Sequence, residues 1–383
     1  MKIIYEPVID CIIKHSLKIL NGDYDNSSEV FDYVKLSPSN KKIAALAESF
    51  GMMMVKLEAR ELALNENILE LQRKEQEIRQ LYQAFIETIV AAIDARDTAT
   101  AGHSRRVASY VTLLCQAINA DQGEKYQITQ FSDNQIQELY YAALLHDVGK
   151  IGVREDVLLK KHRLSDERMS VIEYRFKYYK QSLALRQLKK GLTDHETEML
   201  RNLDSYYHFI FQMNSKEYIS LEEEEEIKRV AALQFINEDG AASRILDTFE
   251  QTNLMVRRGN LTEEEKNSMN QHAAYTAEIL KYIPWEHSMG QIPIIAAGHH
   301  EKMDGSGYPQ GLAGEDIFMQ TRMLATADVF DALTAIDRPY KPPIPVEKAI
   351  KILKEEAKIG RLDGGIVEIF CEKVIPQIDK LIK

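Results

Sequence analysis

Apolar residues recur at helical spacing along most of the chain, and the most regular run lies between Phe50 and Ile89. Within it, an apolar residue stands at every seventh position, at Leu57, Leu64, Leu71, Ile78 and Phe85. Glutamate, lysine, arginine and glutamine lie between them, as on the exposed flanks of a coiled coil. We therefore predict a coiled-coil signalling and dimerisation helix over residues 55–88 and a homodimer, with an intramolecular packing helix as the alternative.

The pattern before this run is a helix, a polar connector and a second helix. Apolar residues keep helical spacing to about Leu20, and a polar stretch follows from Asn21 to Tyr33. The segment Ser37-Pro38-Ser39-Asn40 then offers a cap for the next helix. This order, continued into a long helix, resembles a HAMP signalling module. We expect a HAMP-like helical module over residues 1–54, with a generic helical hairpin as the alternative.

Several apolar helical segments from about residue 100 onward end in residue types that can bind metals. The segment AALLHDVGKIGV, from Ala142 to Val153, ends in His146-Asp147, and an apolar run from Ile292 is followed by His299-His300. A third, buried helix is expected to end at Asp328, and His103 should begin a helix of its own. A buried carboxylate needs a cation or a metal ion beside it. The alternative is a satisfied core histidine next to a helix-capping aspartate.

The candidate ligands are imidazoles and carboxylates, without thiolates. This set excludes structural zinc of the cysteine type and leaves manganese, iron, cobalt, nickel and zinc. The net charge of −11 argues against binding to a nucleic-acid polymer, although it permits an anionic substrate in a cleft with local positive charge. The 3 cysteines are scattered and form no CxxC pair, which favours a reducing cytoplasm. We predict neither a signal peptide nor a membrane span, since no long uncharged apolar run exists.

Two motifs identify a resemblance. Residues His146 to Lys150 match HDxGK, and His299 to Pro309 match HHExxDGxGYP. With them, the region from about Ile89 to Lys383 resembles the HD-GYP family of metal-dependent phosphohydrolases. The resemblance implies an all-α fold: an HD-type helical bundle over residues 89–383 with a helical insertion at about 162–258, preceded by the HAMP-like region and the coiled coil.

The resemblance also implies a binuclear metal centre. It assigns one ion to His103, His146 and Asp328, a second ion to His272, His299 and His300, and the bridging position to Asp147. Iron or manganese is favoured, with zinc, nickel and cobalt left open. Ala99 stands where some relatives carry a carboxylate for a third ion, so we expect two. Four other histidines, which are expected to be surface or structural residues, compete with His272: His162, His195, His208 and His287.

The activity implied by the resemblance is that of a cyclic di-GMP phosphodiesterase. It would hydrolyse the 3'-5' phosphodiester to pGpG, with GMP as a further product left open, through a hydroxide that bridges the metals. Asp147 and Lys150 are the expected catalytic residues, and Lys150, Arg338 and Lys341 would contact phosphate. The loop residues expected to shape the substrate site are Asp304, Gly305, Gly307, Tyr308 and Pro309. Two alternatives remain: a cyclic-dinucleotide receptor or scaffold with little turnover, and an HD phosphohydrolase that acts on another nucleotide.

The insertion departs from the usual spacing of the family. Its pattern predicts four helices, over Asp166–Leu188, Thr193–Met213, Leu221–Phe235 and Ala241–Met255. We interpret its many aromatic residues as the core of a helical subdomain, with a lid or a partner surface as the alternative. A signalling partner would bind at the N-terminal module or at this insertion.

Overall fold

The computed structural model describes residues 6–20, 32, 41–97, 102–120, 130–236, 240–335 and 343–382. Within these ranges the regular secondary structure is helical apart from one two-stranded sheet, which confirms the predicted all-α class. The chain divides into two compact units, Met1–Phe85 and Ile86–Lys383. None of the described helices has an apolar stretch of the length that crossing a bilayer requires.

The first unit consists of α1 (Glu6–Leu20) and most of α2 (Lys41–Arg96), an uninterrupted helix of 56 residues. Helix α2 therefore covers both the second helix of the predicted module and the predicted coiled-coil segment. The apolar series from Leu57 to Phe85 is at least 37% exposed at each of its five positions. The predicted connector from Asn21 to Tyr33 lies outside the described residues except for Asp32, as does the predicted cap at Ser37–Asn40.

The second unit has a hydrophobic core built by the last turns of α2 and by helices from both ends of the sequence. Buried residues of α2, such as Ile86 and Val90, join Leu114, Leu145 and Phe330 in this core. Its helices are α3 (His103–Asn119), α4 (Asp133–Leu145), α12 (Met319–Thr334), α13 (Val346–Lys358), α14 (Gly364–Ile369), a π-helical turn (Phe370–Val374) and α15 (Ile375–Ile382). Residues far apart in sequence thus meet in one core.

Further elements of the second unit carry or adjoin five of the candidate ligands, and some of these elements also contribute to the core. A 3₁₀ turn (Val148–Gly152) and α5 (Glu155–Leu158) follow α4, and α10 (Glu263–Leu280) leads through a 3₁₀ turn (His287–Met289) to α11 (Ile292–Ala297). Two further 3₁₀ turns span Gly298–His300 and Gly314–Asp316. The expectation that a helix ends at Asp328 is wrong, because α12 continues to Thr334. Its buried Phe330 and Asp331 extend the packed face by another turn.

The insertion has a core of its own. Helices α6 (Asp166–Lys190), α7 (Asp194–Ser215), α8 (Leu221–Ala231) and α9 (Thr248–Leu254) bury a separate hydrophobic cluster that includes Ile172, Leu203 and Ile227. The prediction of four helices is wrong in one respect: strands β1 (Gln234–Ile236) and β2 (Ala242–Arg244) form an antiparallel hairpin. Alternate burial at Phe235, with exposed neighbours, suits a strand because successive side chains point to opposite faces.

The two connections between the insertion and the rest of its unit lie side by side, and we call residues 160–164 and 256–260 the neck. Asn260 donates to the carbonyl of Lys160, 100 residues earlier. The Lys160 ammonium donates to Asn253 at 2.6 Å and to Glu265 at 2.7 Å. Arg163 is buried and donates to the carbonyl oxygens of Val256, Met213 and Lys216. The neck is therefore closed by hydrogen bonds within the chain.

Candidate metal centre

Three buried histidines share one hydrogen-bonding pattern. In each, Nδ1 donates to the carbonyl oxygen three residues earlier: His146 to Ala143 at 2.7 Å, His272 to Met269 at 2.7 Å, and His299 to Ala296 at 2.6 Å. A carbonyl oxygen only accepts, so Nδ1 carries the proton and Nε2 of the neutral ring keeps its lone pair. The backbone therefore selects the tautomer in which Nε2 can bind a metal ion.

These Nε2 atoms point at one another. Nε2 of His272 lies 3.4 Å from Nε2 of His299, and Nε2 of His146 lies 3.3 Å from Nε2 of His103. For His272 and His299, neither nitrogen has a proton to share, so their two lone pairs face each other in a buried space. Buried lone pairs without a donor are costly, and a cation between them removes the cost.

His103 is held by a carboxylate instead of a carbonyl. Its Nδ1 lies 2.7 Å from Oδ2 of Asp331. The same carboxylate accepts from Arg106, through Oδ1 from Nε at 2.8 Å and through Oδ2 from Nη2 at 3.0 Å. Asp331 had no predicted role. The available signal was its position three residues after Asp328, one helical turn further on the same face of α12.

The two candidate carboxylate ligands lie among these rings. Oδ1 of Asp328 is 3.0 Å from Nε2 of His103. Asp147 directs Oδ2 toward Nε2 of His146 at 3.4 Å and Oδ1 toward Nε2 of His272 at 3.5 Å. One oxygen of Asp147 therefore faces each side of the cluster, which is the arrangement that a bridging carboxylate needs.

The ligand atoms form three groups, in each of which they lie within 4.8 Å of one another. The groups are His103 with His146 and Asp328, His272 with His299 and His300, and His146 with Asp147 and His299. The first two groups have the same membership as the two expected ligand sets, and the third connects them through Asp147. Nitrogen and oxygen donors with converging lone pairs suit divalent transition metals, so the residues fit the implied ions.

The pKa shifts favour neutral rings and ionised carboxylates, as metal binding requires, except at His103. Burial, followed by the charges of neighbouring rings, holds the pKa of His299 well below its ordinary value, and burial lowers the pKa of His300 to about 4. Burial alone would raise the pKa of Asp147, but Lys150 and His146 outweigh it and lower that pKa. Burial also opposes the charged form of His103, yet the hydrogen bonds to Asp328 and Asp331 raise its pKa to about 9. A cation would displace that proton.

Lys150 lies beside the cluster between two carboxylates. Its Nζ is 2.9 Å from Oδ2 of Asp147 and donates to Oδ2 of Asp97 at 3.0 Å. Burial lowers the pKa of Lys150, but the charges of Asp147 and Asp97 outweigh it and raise the pKa above its ordinary value. Asp97 was not predicted for the site, because it lies 53 residues before Lys150 and no local pattern connects the two.

The loop after His300 folds back against the cluster. Glu301 is buried and accepts from the backbone N–H groups of Gln310 at 2.7 Å and Leu312 at 3.0 Å. Tyr308 lies with its ring centroid 4.7 Å from that of His300, and the Tyr308–Pro309 peptide bond is cis. Glu301 thus fixes the position of the loop that brings Tyr308 to the candidate ligands.

The other loop residues predicted for the site have mainly backbone roles. A Cβ on Gly307 would lie 2.5 Å from the Glu301 Cα atom, and Gly305 has φ of +76°, so both positions suit glycine. The Asp304 carboxylate accepts from the Ser306 amide at 2.9 Å and forms the turn. Arg338, Lys341 and Ala99 lie outside the described residues.

The four competing histidines are not part of the cluster. His162, His195, His208 and His287 are exposed, and none belongs to a potential metal-binding group within the described ranges. Of the five candidates weighed, His272 is the one that the fold brings against Asp147.

Comparison with known families finds two matches, each to a model described as HD domain. One match covers residues 100–233 and the other residues 249–366. The first contains His103, His146 and Asp147, and the second contains His272, His299, His300 and Asp328. The seven candidate ligands are thus divided between the two matched regions.

Curated relatives match parts of the chain. The "3'3'-cGAMP-specific phosphodiesterase 3" of Vibrio cholerae is 40% identical over 34% of this chain and 25% of its own length. A "Probable cyclic di-GMP phosphodiesterase" of the same species is 26% identical over 82% of this chain and 49% of its own length. The "Cyclic di-GMP phosphodiesterase" of Thermotoga maritima is 36% identical over 38% of this chain and 37% of its own length. The chain therefore spans a quarter to a half of the length of these relatives.

Proposed function

We propose that this chain is a metal-dependent phosphodiesterase of the HD-GYP type that hydrolyses cyclic di-GMP at its 3'-5' phosphodiester. The observation that carries the proposal is the buried cluster in which imidazole lone pairs and two carboxylates converge. The names of similar proteins, which include cyclic di-GMP phosphodiesterases, supply the substrate class.

The proposed ligand assignment follows the three groups of atoms. His103, His146 and Asp328 hold one ion, His272, His299 and His300 hold the second, and Asp147 contacts both. Iron or manganese is the expected metal. When bound, two divalent cations neutralise charge on phosphoryl oxygens and make water acidic enough to yield a nucleophile near neutral pH.

Protein groups around the cluster position the substrate in this proposal. The Lys150 ammonium, kept charged by Asp97 and Asp147, contacts a phosphate oxygen and stabilises the charge that develops there. The ring of Tyr308 lies against His300 and closes one wall of the site. Arg338 and Lys341, which lie outside the described residues, remain proposed phosphate contacts on the strength of the sequence resemblance.

A second substrate is favoured by one of the comparisons. The relative that is 40% identical to this chain is named as specific for 3'3'-cGAMP. This molecule and cyclic di-GMP share the phosphodiester ring and differ in one base. The same cluster therefore suits both, and the choice between them would depend on contacts to the base.

The test is a hydrolysis assay on the full chain, purified anaerobically and loaded with Fe²⁺ or Mn²⁺. Cyclic di-GMP and 3'3'-cGAMP are offered separately, and linear and mononucleotide products are separated by chromatography. We expect turnover of cyclic di-GMP, and none by an Asp147→Asn variant. A metal-loaded wild-type chain that binds the cyclic dinucleotide without cleaving it would contradict the proposal and support a receptor.

We also propose a HAMP-like module over residues 1–54, a parallel coiled coil over 55–88 and a catalytic domain over 89–383 with its insertion. Support for the coil comes from the exposed apolar series of α2. Ion pairs such as Lys74–Glu70 at 2.7 Å and Arg79–Glu75 at 2.8 Å stabilise its polar flanks. A second copy of this chain, which carries the same stripe, would cover it.

Sedimentation of the full chain tests the dimer. We expect the double variant Leu64→Lys and Leu71→Lys to sediment as a monomer, because two lysines in the seam prevent its burial. The control is Glu66→Lys, which places a lysine outside the seam. A wild-type monomer, or a double variant that stays dimeric, would contradict the proposed coil.

A further inference from the structure

One threonine hydroxyl joins the two backbone segments that carry candidate ligands. Helix α4 ends at Leu145, and the turn that follows it carries His146 and Asp147 into the 3₁₀ segment Val148–Gly152. Within this turn, the carbonyl of His146 accepts from Oγ1 of Thr276 at 2.9 Å, and the N–H of Gly149 donates to the same Oγ1 at 3.0 Å. A hydroxyl has one proton to donate, so these two bonds determine its orientation.

Thr276 lies on α10 four residues after His272, one helical turn away on the same face. Its side chain is fully buried. The hydroxyl thus connects the turn that presents His146 and Asp147 to the helix that presents His272. These are the segments whose side chains meet at 3.5 Å, between Oδ1 of Asp147 and Nε2 of His272.

The turn and α10 are in direct backbone contact at this point. A Cβ added to Gly149 would overlap the carbonyl oxygen of His272 and lie 2.5 Å from the amide nitrogen of Thr276. Van der Waals contact between the two backbones resists compression but does not prevent sliding. The two hydrogen bonds of Thr276 are directional, so they fix the position of the turn along the helix.

We propose that Thr276 is a positioning residue of the metal centre, which holds His146 and Asp147 in register with His272; this rests on the proposed binding of divalent cations. Replacing the hydroxyl by a methyl group keeps the shape of the side chain. It leaves a buried carbonyl and a buried N–H without partners, and the turn then moves to recover them. Ligand atoms supplied by the two segments no longer meet at the distances that one ion requires.

The test measures the affinity of the full chain for Mn²⁺ by competition with a chelator, without nucleotide. Removal of a residue that holds a metal ligand in place typically weakens metal affinity by about ten- to a hundred-fold. We expect Thr276→Val to weaken Mn²⁺ binding by that factor. Thr276→Ser keeps the hydroxyl and should bind as the wild type does. Thr112→Val is the matched control, because Thr112 donates only to the Ala108 carbonyl within α3.

Each outcome has a definite meaning. A wild-type chain that does not bind Mn²⁺ defeats the proposed metal centre itself. A wild-type chain that binds Mn²⁺ no more tightly than Thr276→Val, or a Thr276→Ser variant as weak as Thr276→Val, overturns the positioning role. If the valine variant does not fold, Thr276→Ala removes the same hydroxyl from the helix and is measured in its place.

Discussion

The neck of the insertion and the candidate metal centre both bury polar side chains, but they satisfy them differently. At the neck, the Arg163 guanidinium is 1% exposed and donates to three backbone carbonyls, so protein atoms use its donors. At the centre, His272 and His299 direct Nε2 lone pairs at each other. A buried polar group with protein partners supports the fold, whereas converging groups without a donor require an outside partner.

The largest expected effect is on the centre. Replacing Asp147 by asparagine removes the carboxylate that faces both sides of the cluster, and we expect hydrolysis of cyclic di-GMP to fall by on the order of 10³-fold. Circular dichroism should show unchanged helix content, since asparagine keeps the size of the side chain and Asp97 still pairs with Lys150. If an Asp147→Asn variant turns over substrate as the wild type does, the carboxylate is not needed for hydrolysis, and the contrast between the centre and the neck fails.

The neck should respond in the opposite way. Arg163→Met leaves the carbonyls of Val256, Met213 and Lys216 without their donor, so we expect the insertion to lose about 3 kcal/mol of unfolding free energy. Hydrogen exchange of amides in its core measures this loss, while Mn²⁺ affinity should stay unchanged. The control is Arg168→Met, a half-exposed residue at the insertion surface. Equal losses for both variants would show that the buried position of Arg163 has no special importance.

Removing the metal with a chelator tests whether a bound cation stabilises the folded chain at the candidate centre. A cation held at a free concentration of 100 times its dissociation constant stabilises the folded chain by about 2.7 kcal/mol. We therefore expect a chelator to lower the melting temperature of the wild type and to leave that of Asp147→Asn almost unchanged. Equal sensitivity of the two proteins to the chelator would place the stabilising ion elsewhere.

The smallest effect concerns the support of His103. Asp331→Asn replaces the charged acceptor of the Nδ1 proton by a neutral amide, so the ring loses part of its orientation and basicity. We expect metal affinity to fall by about ten-fold, at the low end of such changes. Asp363→Asn is the control, because Asp363 pairs with Arg322 at 3.3 Å and caps α14 without facing a ligand. If Asp331→Asn binds metal as tightly as the wild type, Asp331 serves only to pair with Arg106.

Most of the candidate ligands carry a local signal in the sequence, whereas His272 followed from the family resemblance alone. His146, Asp147, His299 and His300 end apolar runs, and their motifs specify neighbours as well as ligands. The all-α class, which the family resemblance implied, agrees with the helical spacing of the apolar residues. The supports had no such signal. Asp331 is 228 residues from His103, and Thr276 is 127 residues from Gly149, so only the folded chain reveals these contacts.

The insertion shows a different limit of sequence reasoning. Helical spacing around Phe235 favoured a helix up to that residue, yet Gln234–Ile236 pairs with Ala242–Arg244 as a hairpin. Three-residue strands carry too little periodicity to compete with the helix before them. The helix starts were easier to predict, since Ser220 and Thr193 form capping boxes with a glutamate three residues later.

The closed neck also bears on how this chain reaches its native state. Because Lys160 and Asn260 are hydrogen-bonded across 100 residues, an insertion that folds first acts as a short loop between its flanking segments. The entropic cost of closing a loop grows with the logarithm of its length. A connection of about six residues instead of about 100 therefore lowers the free-energy cost of closure by about 2.5 kcal/mol. An insertion that folds first would therefore hasten the meeting of His146 and His272 and lower the effective contact order of the second unit.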